Sequence, residues 1–283
     1  MRQTDSGAWE CVVPPDSSYQ GFLSRSKTVR DNFCRQGVPV PELLQVAEEL
    51  AQTNVCLVAA DIPLSRLAIT GRRTADNEVS RVFGSRKCST HSPSSLRPGA
   101  LSDQMRADFH RCGFELATTR CEVSNRSLIE VYPHTAMLSL MESVDRVPYK
   151  VSKTRKYWPD DLAHIRVCKI IEILSNIQQR LSLFIGGIEI ENFKSAKSLS
   201  DLKQVEDKLD SLACAWVGIL ALEGKATPLG DSNAAIWVPD DSLSAVKPTS
   251  LYEVLGSGPF ASPEFMANVE DLPLQERDRL QSA

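Results

Sequence analysis

The sequence lacks the features that mark membrane-spanning and secreted proteins. Its longest apolar run, residues 212–222, is shorter than the ~18–20 residues that a helix needs to cross a bilayer. No basic segment at the N-terminus leads into an apolar run, so we expect no signal peptide. The eight cysteines include no CxxC pair, which favours reduced thiols over a disulfide framework. We therefore expect a cytoplasmic protein that does not associate with membranes.

Three common catalytic motifs are also missing. The sequence contains no GxxxxGKS/T, HExxH or GxSxG segment, which argues against P-loop nucleotide binding, HExxH zinc proteases and GxSxG serine hydrolases. Aromatic residues make up only 6% of the chain, and few lie among its basic residues, so a surface for stacking bases is not expected. The formal net charge of −4 argues against nucleic-acid binding by overall charge alone.

What is present is the alternation of helices and buried strands typical of an α/β protein. A helical pattern that begins at Pro41 is followed by the continuously apolar residues 55–60, as expected for a strand covered on both faces. Residues 127–133 form a second apolar segment of this kind. The remaining predicted strands are 8–13, 19–23 and 234–238, and the remaining predicted helices are 75–83, 101–112, 135–143, 160–184 and 199–223.

The chain becomes acidic near the C-terminus, and its predicted helices and strands end there. From residue 239 onward the chain has eight acidic and three basic residues, and the body before it is nearly neutral. We predict one α/β domain over residues 1–240 and an acidic, loosely ordered tail over residues 241–283.

Three carboxylates lie where the predicted core makes a charge costly. Asp61 ends the apolar strand, Glu130 lies inside LIEVY, and Asp210 lies where a helix changes from polar to apolar, with Asp207 one turn before it. A lone carboxylate in a buried strand costs several kcal/mol unless it is paired or bound to metal. For Asp61 the alternative is a turn-capping role, and for Asp210 it is an ordinary solvated helix residue. For Glu130 the alternatives are an edge strand or an ion pair with an arginine from residues 72–97.

If these acids converge, a divalent cation would relieve their mutual repulsion. Carboxylate oxygens suit Mg²⁺ or Mn²⁺, and two such ions can activate water and stabilise the leaving oxygen in phosphodiester hydrolysis. Basic side chains near the predicted site could bind phosphate, although a basic loop such as residues 146–158 is often only a solvated surface.

Six short segments in a fixed order resemble the predicted RNase H-like nuclease family (domain of unknown function 429). They are AADIPL at 59–64, GRRTAD at 71–76, IEVYP at 129–133, YK at 149–150, DSLACA at 210–215 and IWVP at 236–239. The resemblance covers about residues 5–240. It implies a ribonuclease H-like mixed sheet, antiparallel at first and then parallel, with helices on both faces and helical insertions.

The resemblance also implies a site. Asp61, Glu130 and Asp210 match its catalytic and metal-binding positions, and Arg73 and Lys150 match positions expected to contact substrate phosphate. A fourth acidic position matches Asp5, although only four residues precede it and the family's first strand is longer and more apolar.

Three functions stay open from the sequence. The first is a nuclease that uses Mg²⁺ or Mn²⁺, and the second is a non-catalytic protein of the same fold that binds a partner or nucleic acid. The third is a phosphotransferase, which the absence of a glycine-rich phosphate loop disfavours. A structural zinc site is a separate alternative, for which the four candidate ligands are Cys88, His91, His110 and Cys112. The sequence does not determine the oligomeric state.

Overall fold

The computed structural model describes residues 1–26, 38–121, 123–190, 193, 196 and 199–244. One compact unit extends from Met1 to Ala245. The last described helix, Asp240–Ser244, belongs to this unit, and the main-chain carbonyl of Ser242 accepts a hydrogen bond from Arg86 at 2.9 Å. The first residues of the predicted tail are therefore helical, and residues 245–283 lie outside the described part of the chain.

The described residues form both helices and strands, as expected for an α/β protein. The strands are β1 (Arg2–Gln3), β2 (Trp9–Glu10), β3 (Leu57–Ala60), β4 (Glu115–Leu116), β5 (Ser127–Val131), β6 (Ile185–Gly186), β7 (Ala226–Gly230) and β8 (Ala235–Pro239). The helices are α1 (Tyr19–Leu23), α2 (Val40–Ala51), α3 (Thr74–Phe83), α4 (Ala100–Arg111), α5 (Pro133–Leu140), α6 (Thr154–Tyr157), α7 (Ala163–Ser182), α8 (Leu199–Leu222) and α9 (Asp240–Ser244). A 3-10 turn, Val151–Lys153, precedes α6.

The main sheet is mixed, which confirms the α/β class. Its strands lie in the order β3-β5-β8-β7, and β4 also pairs with β5. The pairs of β5 with β3, β4 and β8 are parallel, whereas β7 and β8 form an antiparallel hairpin. A smaller sheet joins β1, β2 and β6.

Helices cover both faces of the main sheet. On one face α8 approaches closely, because a Cβ at Gly218 would lie 3.3 Å from Leu57 and 3.5 Å from Ala59. On the other face, apolar residues of α3 pack with Ile236 and Val238 of β8. Side chains alternate along each strand, so neighbouring residues of β3 and β5 face different helices. As a result, the candidate site residues of these strands lie on different faces of the sheet.

The N-terminal region differs from the prediction. Residues 19–23 form a helix rather than a strand, because the Ser18 hydroxyl accepts a hydrogen bond from the Gly21 N–H at 3.0 Å and caps the helix. The strand predicted over 8–13 is shorter, Trp9–Glu10. The short strands β4 and β6 give too little pattern for a prediction from the sequence. In the part of the chain that the structure describes, no helix combines the length and apolarity that crossing a bilayer requires.

Candidate functional site

Asp61 lies at the carboxyl end of β3, within range of the charge of Asp210. Gly218 of α8 lies against the middle of β3, and Asp210 precedes it by about two helical turns. Because α8 passes over β3 in the opposite direction, its earlier residues lie beside the end of the strand, where Asp61 follows Ala60. The negative charge of Asp210 accordingly acts on the Asp61 carboxyl.

The environment of Asp61 disfavours its ionised form. Its side chain is accessible to solvent, yet the surrounding protein desolvates it and Asp210 repels its charge. Together these effects raise the pKa of Asp61 to about 6, although Lys150 and Lys203 act in the opposite direction. Functional sites frequently contain a carboxyl group that is accessible to solvent and has a raised pKa.

Asp210 is buried and is held by two neighbours. The Tyr149 hydroxyl donates a hydrogen bond to its Oδ1 at 2.7 Å, and the Lys150 ammonium contacts its Oδ2. Burial raises the pKa of Asp210 in spite of these favourable contacts. Its position is therefore fixed, and one of its oxygens lies at a cationic group.

Two more acids on α8 extend this group. Glu206 lies one turn before Asp210, and its Oε2 accepts a hydrogen bond from the Val151 N–H at 2.7 Å. Lys203 donates to Glu206 at 2.8 Å and to Asp207 at 2.6 Å. One carboxylate oxygen from each of Glu206, Asp207 and Asp210 lies within 4.8 Å of the others. We call these three residues, together with Asp61, the acidic cluster; Asp61 is outside this close group of oxygens and is included because the charge of Asp210 acts on it.

The acidic cluster could hold a divalent metal ion. Its carboxylates carry four negative charges when ionised, and Lys150 and Lys203 supply two positive charges. Two negative charges are left, which is the charge that one divalent cation balances. The donors are all oxygens, as Mg²⁺ and Mn²⁺ prefer. These donors fit such an ion if the Lys150 and Lys203 ammonium groups, which contact oxygens of Asp210, Glu206 and Asp207, move aside. The donors do not distinguish one hard cation from another.

Glu130 belongs to a different group of charges. It is paired in register with Ala60, so it faces the opposite side of the sheet from Ala59 and Ile129, which lie on the α8 side. There its two oxygens accept hydrogen bonds from the Arg73 guanidinium at 2.6 and 2.7 Å, and the Leu64 N–H donates at 2.7 Å. The structure thus shows the predicted alternative of a buried ion pair with an arginine from residues 72–97.

Arg73 is held on both sides by carboxylates. Besides Glu130, it donates to Asp76 at 3.0 Å through Nε and Nη2, and its main-chain N–H also donates to Asp76. Arg73 precedes α3, and only 7% of its side chain is exposed. Burial raises the pKa of Glu130 to about 7, while Arg73 lowers it. Phosphate binding by Arg73 stays a prediction, and it would require Arg73 to leave these partners.

The family of the chain follows from its match to a family model. Residues 20–234 match the model described as "Protein of unknown function (DUF429)". The chain belongs to the DUF429 family. No curated protein and no solved structure matches it. The match confirms domain of unknown function 429, predicted from the six segments, and it names neither a ribonuclease H-like fold nor an activity.

Asp5 of this DUF429 chain lies apart from the other predicted site residues. It lies in the exposed turn between β1 and β2, where the Thr4 N–H donates to the Ala8 carbonyl. The group of carboxylate oxygens found close together among the described residues includes neither Asp5 nor Asp61, but Asp61 is near enough for the charge of Asp210 to act on it. Lys150, in contrast, lies next to the acidic cluster, where it contacts Asp210 and is 3.4 Å from Glu206.

The four candidate zinc ligands have other surroundings in the DUF429 chain. The buried Cys88 thiol contacts the His134 carbonyl at 3.7 Å, whereas His110 lies at the surface, 2.9 Å from Glu115. Among the residues that the structure describes, no group of metal-type ligands brings these four together. The zinc alternative thus has no support in the geometry.

Sequence reasoning did not identify Glu206 as a site residue. Its spacing of four residues from Asp210 places both side chains on one face of α8, and this spacing is visible in the sequence. The sequence did not predict that Lys203 pairs with Glu206 and Asp207, because a lysine near acids on a helix is usually solvated. Only the packing of residues 149–151 against α8 shows that this face is buried.

Proposed function

We propose that this DUF429 protein is a divalent-metal-dependent phosphodiesterase that acts on nucleic acid. The observation that carries the proposal is the acidic cluster, in which Glu206, Asp207 and Asp210 lie together and the charge of Asp210 acts on Asp61, directly after the parallel strand β3. Ligands of α/β sheets commonly bind at this edge. The mixed sheet with helices on both faces is compatible with a ribonuclease H-like fold, which we propose for the chain.

Within this proposal, Asp61 and Asp210 would hold Mg²⁺ or Mn²⁺ together with Glu206 or Asp207. Such an ion, when bound, supplies Lewis-acid activation of water and neutralisation of phosphate charge. Tyr149 orients Asp210 by its hydrogen bond, and the Val151 N–H does the same for Glu206. Lys150 lies at the cluster with 18% of its side chain exposed, and it would contact a phosphate there.

A second candidate function is binding without cleavage. Two observations favour it: Glu130 makes its hydrogen bonds with Arg73 and Leu64, and Asp5 lies in an exposed turn. If the reaction needs Asp5, Asp61, Glu130 and Asp210 to converge, the arrangement of Glu130 and Asp5 does not meet that need. We therefore propose Glu130 as a structural residue, and metal binding by Glu130 and Asp5 stays a prediction to be tested.

The proposal is tested by titrating the protein with Mn²⁺ in a calorimeter and by assaying cleavage of RNA, DNA and hybrid duplexes. A pH near 8 is appropriate, because Asp61 must be ionised to bind metal and its pKa is about 6. Asp61→Asn and Asp210→Asn should weaken Mn²⁺ binding and cleavage at least about tenfold to hundredfold. Asp160→Asn is the control, since this aspartate is exposed and lies between α6 and α7.

The two candidate functions give different results. Mn²⁺ binding and cleavage that both depend on Asp61 and Asp210 support a phosphodiesterase. Mn²⁺ binding without cleavage of any substrate favours the binding protein. Absence of binding at millimolar Mn²⁺, or equal effects of Asp61→Asn and Asp160→Asn, would contradict a metal site at the acidic cluster.

A further inference from the structure

A groove lined mainly by apolar residues runs along α8 beside the strand β3. Among the described residues β3 pairs only with β5, so its other edge has no partner strand. At this edge a cavity of about 270 Å³ is bounded by Leu57 and Ala59 of β3, by Trp9 and by one face of α8. The residues on that face are Ser211, Ala215, Gly218, Ile219 and Leu222. The groove therefore follows the contact between α8 and β3.

A larger cavity of about 650 Å³ adjoins the first, because both are lined by Met1, Val13 and Ser211. We call it the side cavity. Of α8 it contacts only residues 211–212, so it lies toward the N-terminal end of that helix. Its other walls are residues 13–18, Tyr19 and Phe22 of α1, and Leu43 of α2.

Both sides of the groove continue into the acidic cluster. Along β3, Asp61 is the next residue after Ala59 on the same face, about 7 Å further on. Along α8, Asp207 precedes Ser211 by four residues, which places it on the same face about 6 Å away. Ser211 also directly follows Asp210 in the chain. The groove therefore ends at the acidic cluster.

The packing of α2 places the side cavity at this same end. Leu43, near the start of α2, lines the cavity. Its neighbour Leu44 belongs to the same apolar cluster as Leu64, which follows Asp61 by only three residues. The start of α2 thus lies beside the chain that leaves β3. The side cavity and the acidic cluster are neighbours.

The side cavity suits an uncharged, planar ring. Among the described residues that line it, the one charged side chain is Asp16, which is paired with Arg25 at 2.8 Å. Four ring-bearing residues line the cavity: Pro14, Pro15, Tyr19 and Phe22. Its volume and its mainly apolar walls are typical of sites for small organic groups, and aromatic side chains stack on the faces of nucleobases. Such a site was not expected from the sequence, because few of its aromatic residues lie among basic ones.

Two hydroxyl groups on the walls are available to the polar edge of such a ring. Ser17 and Tyr19 line the cavity, and neither hydroxyl makes a hydrogen bond to another described residue. A phosphate group, in contrast, would meet no lysine or arginine among the described lining residues.

We propose that the side cavity binds a nucleobase, and that the acidic cluster acts on single-stranded nucleic acid that places an unpaired base there. A base inside a duplex is stacked and paired, so it cannot enter a cavity unless it leaves the helix. The assignment of the substrate rests on the proposed function, whereas the binding of a nucleoside does not.

The experiment first measures nucleoside binding without metal. The full chain in EDTA is titrated with adenosine, with ribose 5-phosphate and with cyclohexanol, by calorimetry and by ¹H NMR of the ligands. The first probe carries a base, the second a phosphate without a base, and the third an apolar ring without π electrons. Cleavage of a single strand and of a duplex of the same sequence is then compared with Mn²⁺ present.

Two variants change the side cavity in different ways. Tyr19→Ala removes an aromatic wall, and folding should tolerate it because Tyr19 is 54% exposed. Ser211→Phe fills the space, and the exposed Ser211 donates only to the Lys208 carbonyl of its own helix. Tyr19→Phe, which keeps the ring, is the first control. Ser182→Phe is the second, since this exposed serine of α7 likewise donates to a carbonyl of its own helix, that of Gln178.

We expect adenosine to bind at least about tenfold more tightly than ribose 5-phosphate or cyclohexanol. Tyr19→Ala and Ser211→Phe should each weaken adenosine binding at least about tenfold, the usual effect of losing one stacking contact, and both controls should stay within about twofold. The parent should cleave the single strand at least about tenfold faster than the duplex, and Ser211→Phe should slow this cleavage.

Two binding results would overturn the proposal at once. Equal binding of ribose 5-phosphate would identify a sugar or phosphate site, and equal binding of cyclohexanol would identify a cavity without preference for a base. No binding at about 10 mM adenosine, or equal effects of Ser211→Phe and Ser182→Phe, would also overturn it.

Failure of this inference and failure of the proposed function are distinguishable. Adenosine binding in EDTA that Tyr19→Ala and Ser211→Phe weaken, without any metal-dependent cleavage, would contradict only the phosphodiesterase and the substrate assigned to it. Metal-dependent cleavage that Ser211→Phe leaves unchanged, with no adenosine binding, would contradict only the base site.

Discussion

Replacing Glu130 with glutamine separates a structural role of this residue from metal binding. The change keeps the size of the side chain and removes its charge. We expect Glu130→Gln to destabilise the protein while Mn²⁺ affinity stays within about twofold to threefold of the parent. The reason is that both carboxylate oxygens are already bound by Arg73 and Leu64, on the side of the sheet opposite Asp61.

The expected magnitude follows from these contacts. Glu130 accepts two hydrogen bonds from the Arg73 guanidinium and one from the Leu64 N–H. In glutamine one oxygen becomes an NH₂ group, which faces a guanidinium donor and cannot accept from it. Hydrogen bonds to charged groups contribute about 1.5–3 kcal/mol each, and Arg73 keeps Asp76 as a second partner. We expect a loss of about 3 kcal/mol, a large part of the 5–15 kcal/mol typical of a domain.

Urea unfolding followed by circular dichroism measures this loss, and calorimetric titration measures Mn²⁺ affinity on the same samples. Glu142→Gln is the control, since Glu142 pairs with Arg180 at the surface, 2.8 Å away, and such pairs contribute at most about 1 kcal/mol. A Glu130→Gln variant that is as stable as the parent but binds Mn²⁺ at least about tenfold more weakly would refute the reasoning. Glu130 would then be a metal ligand, as the family resemblance implies.

Two further predictions concern the acidic cluster. The raised pKa of Asp61, about 6 against 3.8 for the free group, means that its contribution to stability is present below pH 3.8 and is lost as the pH rises through 6. Asp61→Asn should therefore have a higher melting temperature relative to the parent at pH 8 than at pH 4, and a pH-independent difference would contradict this. Lys150→Met removes the cation between Asp210 and Glu206, and we expect a loss of about 3 kcal/mol, as for other broken buried pairs. Mn²⁺ should raise the melting temperature of this variant more than that of the parent, and an equal increase would argue against a cation site there.

Much of the fold could be predicted because its signals are local. The apolar residues of β3 and β5 and the three- to four-residue spacing of α2 and α8 each indicate an element without reference to the rest of the chain. Residues 19–23 were predicted wrongly, since the Ser18 cap outweighs the apolar pattern of five residues. The strand β7, which pairs antiparallel with β8, was not predicted. It contains Pro228 and Gly230, and these residue types are unusual in strands.

The sequence by itself determined which carboxylates lie at costly positions, because a charge next to an apolar strand or within an apolar helix is visible in the order of residues. Only the tertiary structure decided how each charge is balanced. Glu130 and Arg73 are 57 positions apart, and Asp210 and Lys150 are 60 apart, so no local pattern pairs them. The alternation of side chains across a sheet then places Glu130 on one face and Asp61 near Asp210 on the other. The ion-pair partner of each carboxylate, and the face of the sheet on which it lies, depend on strand register and helix packing. Both are properties of the folded chain.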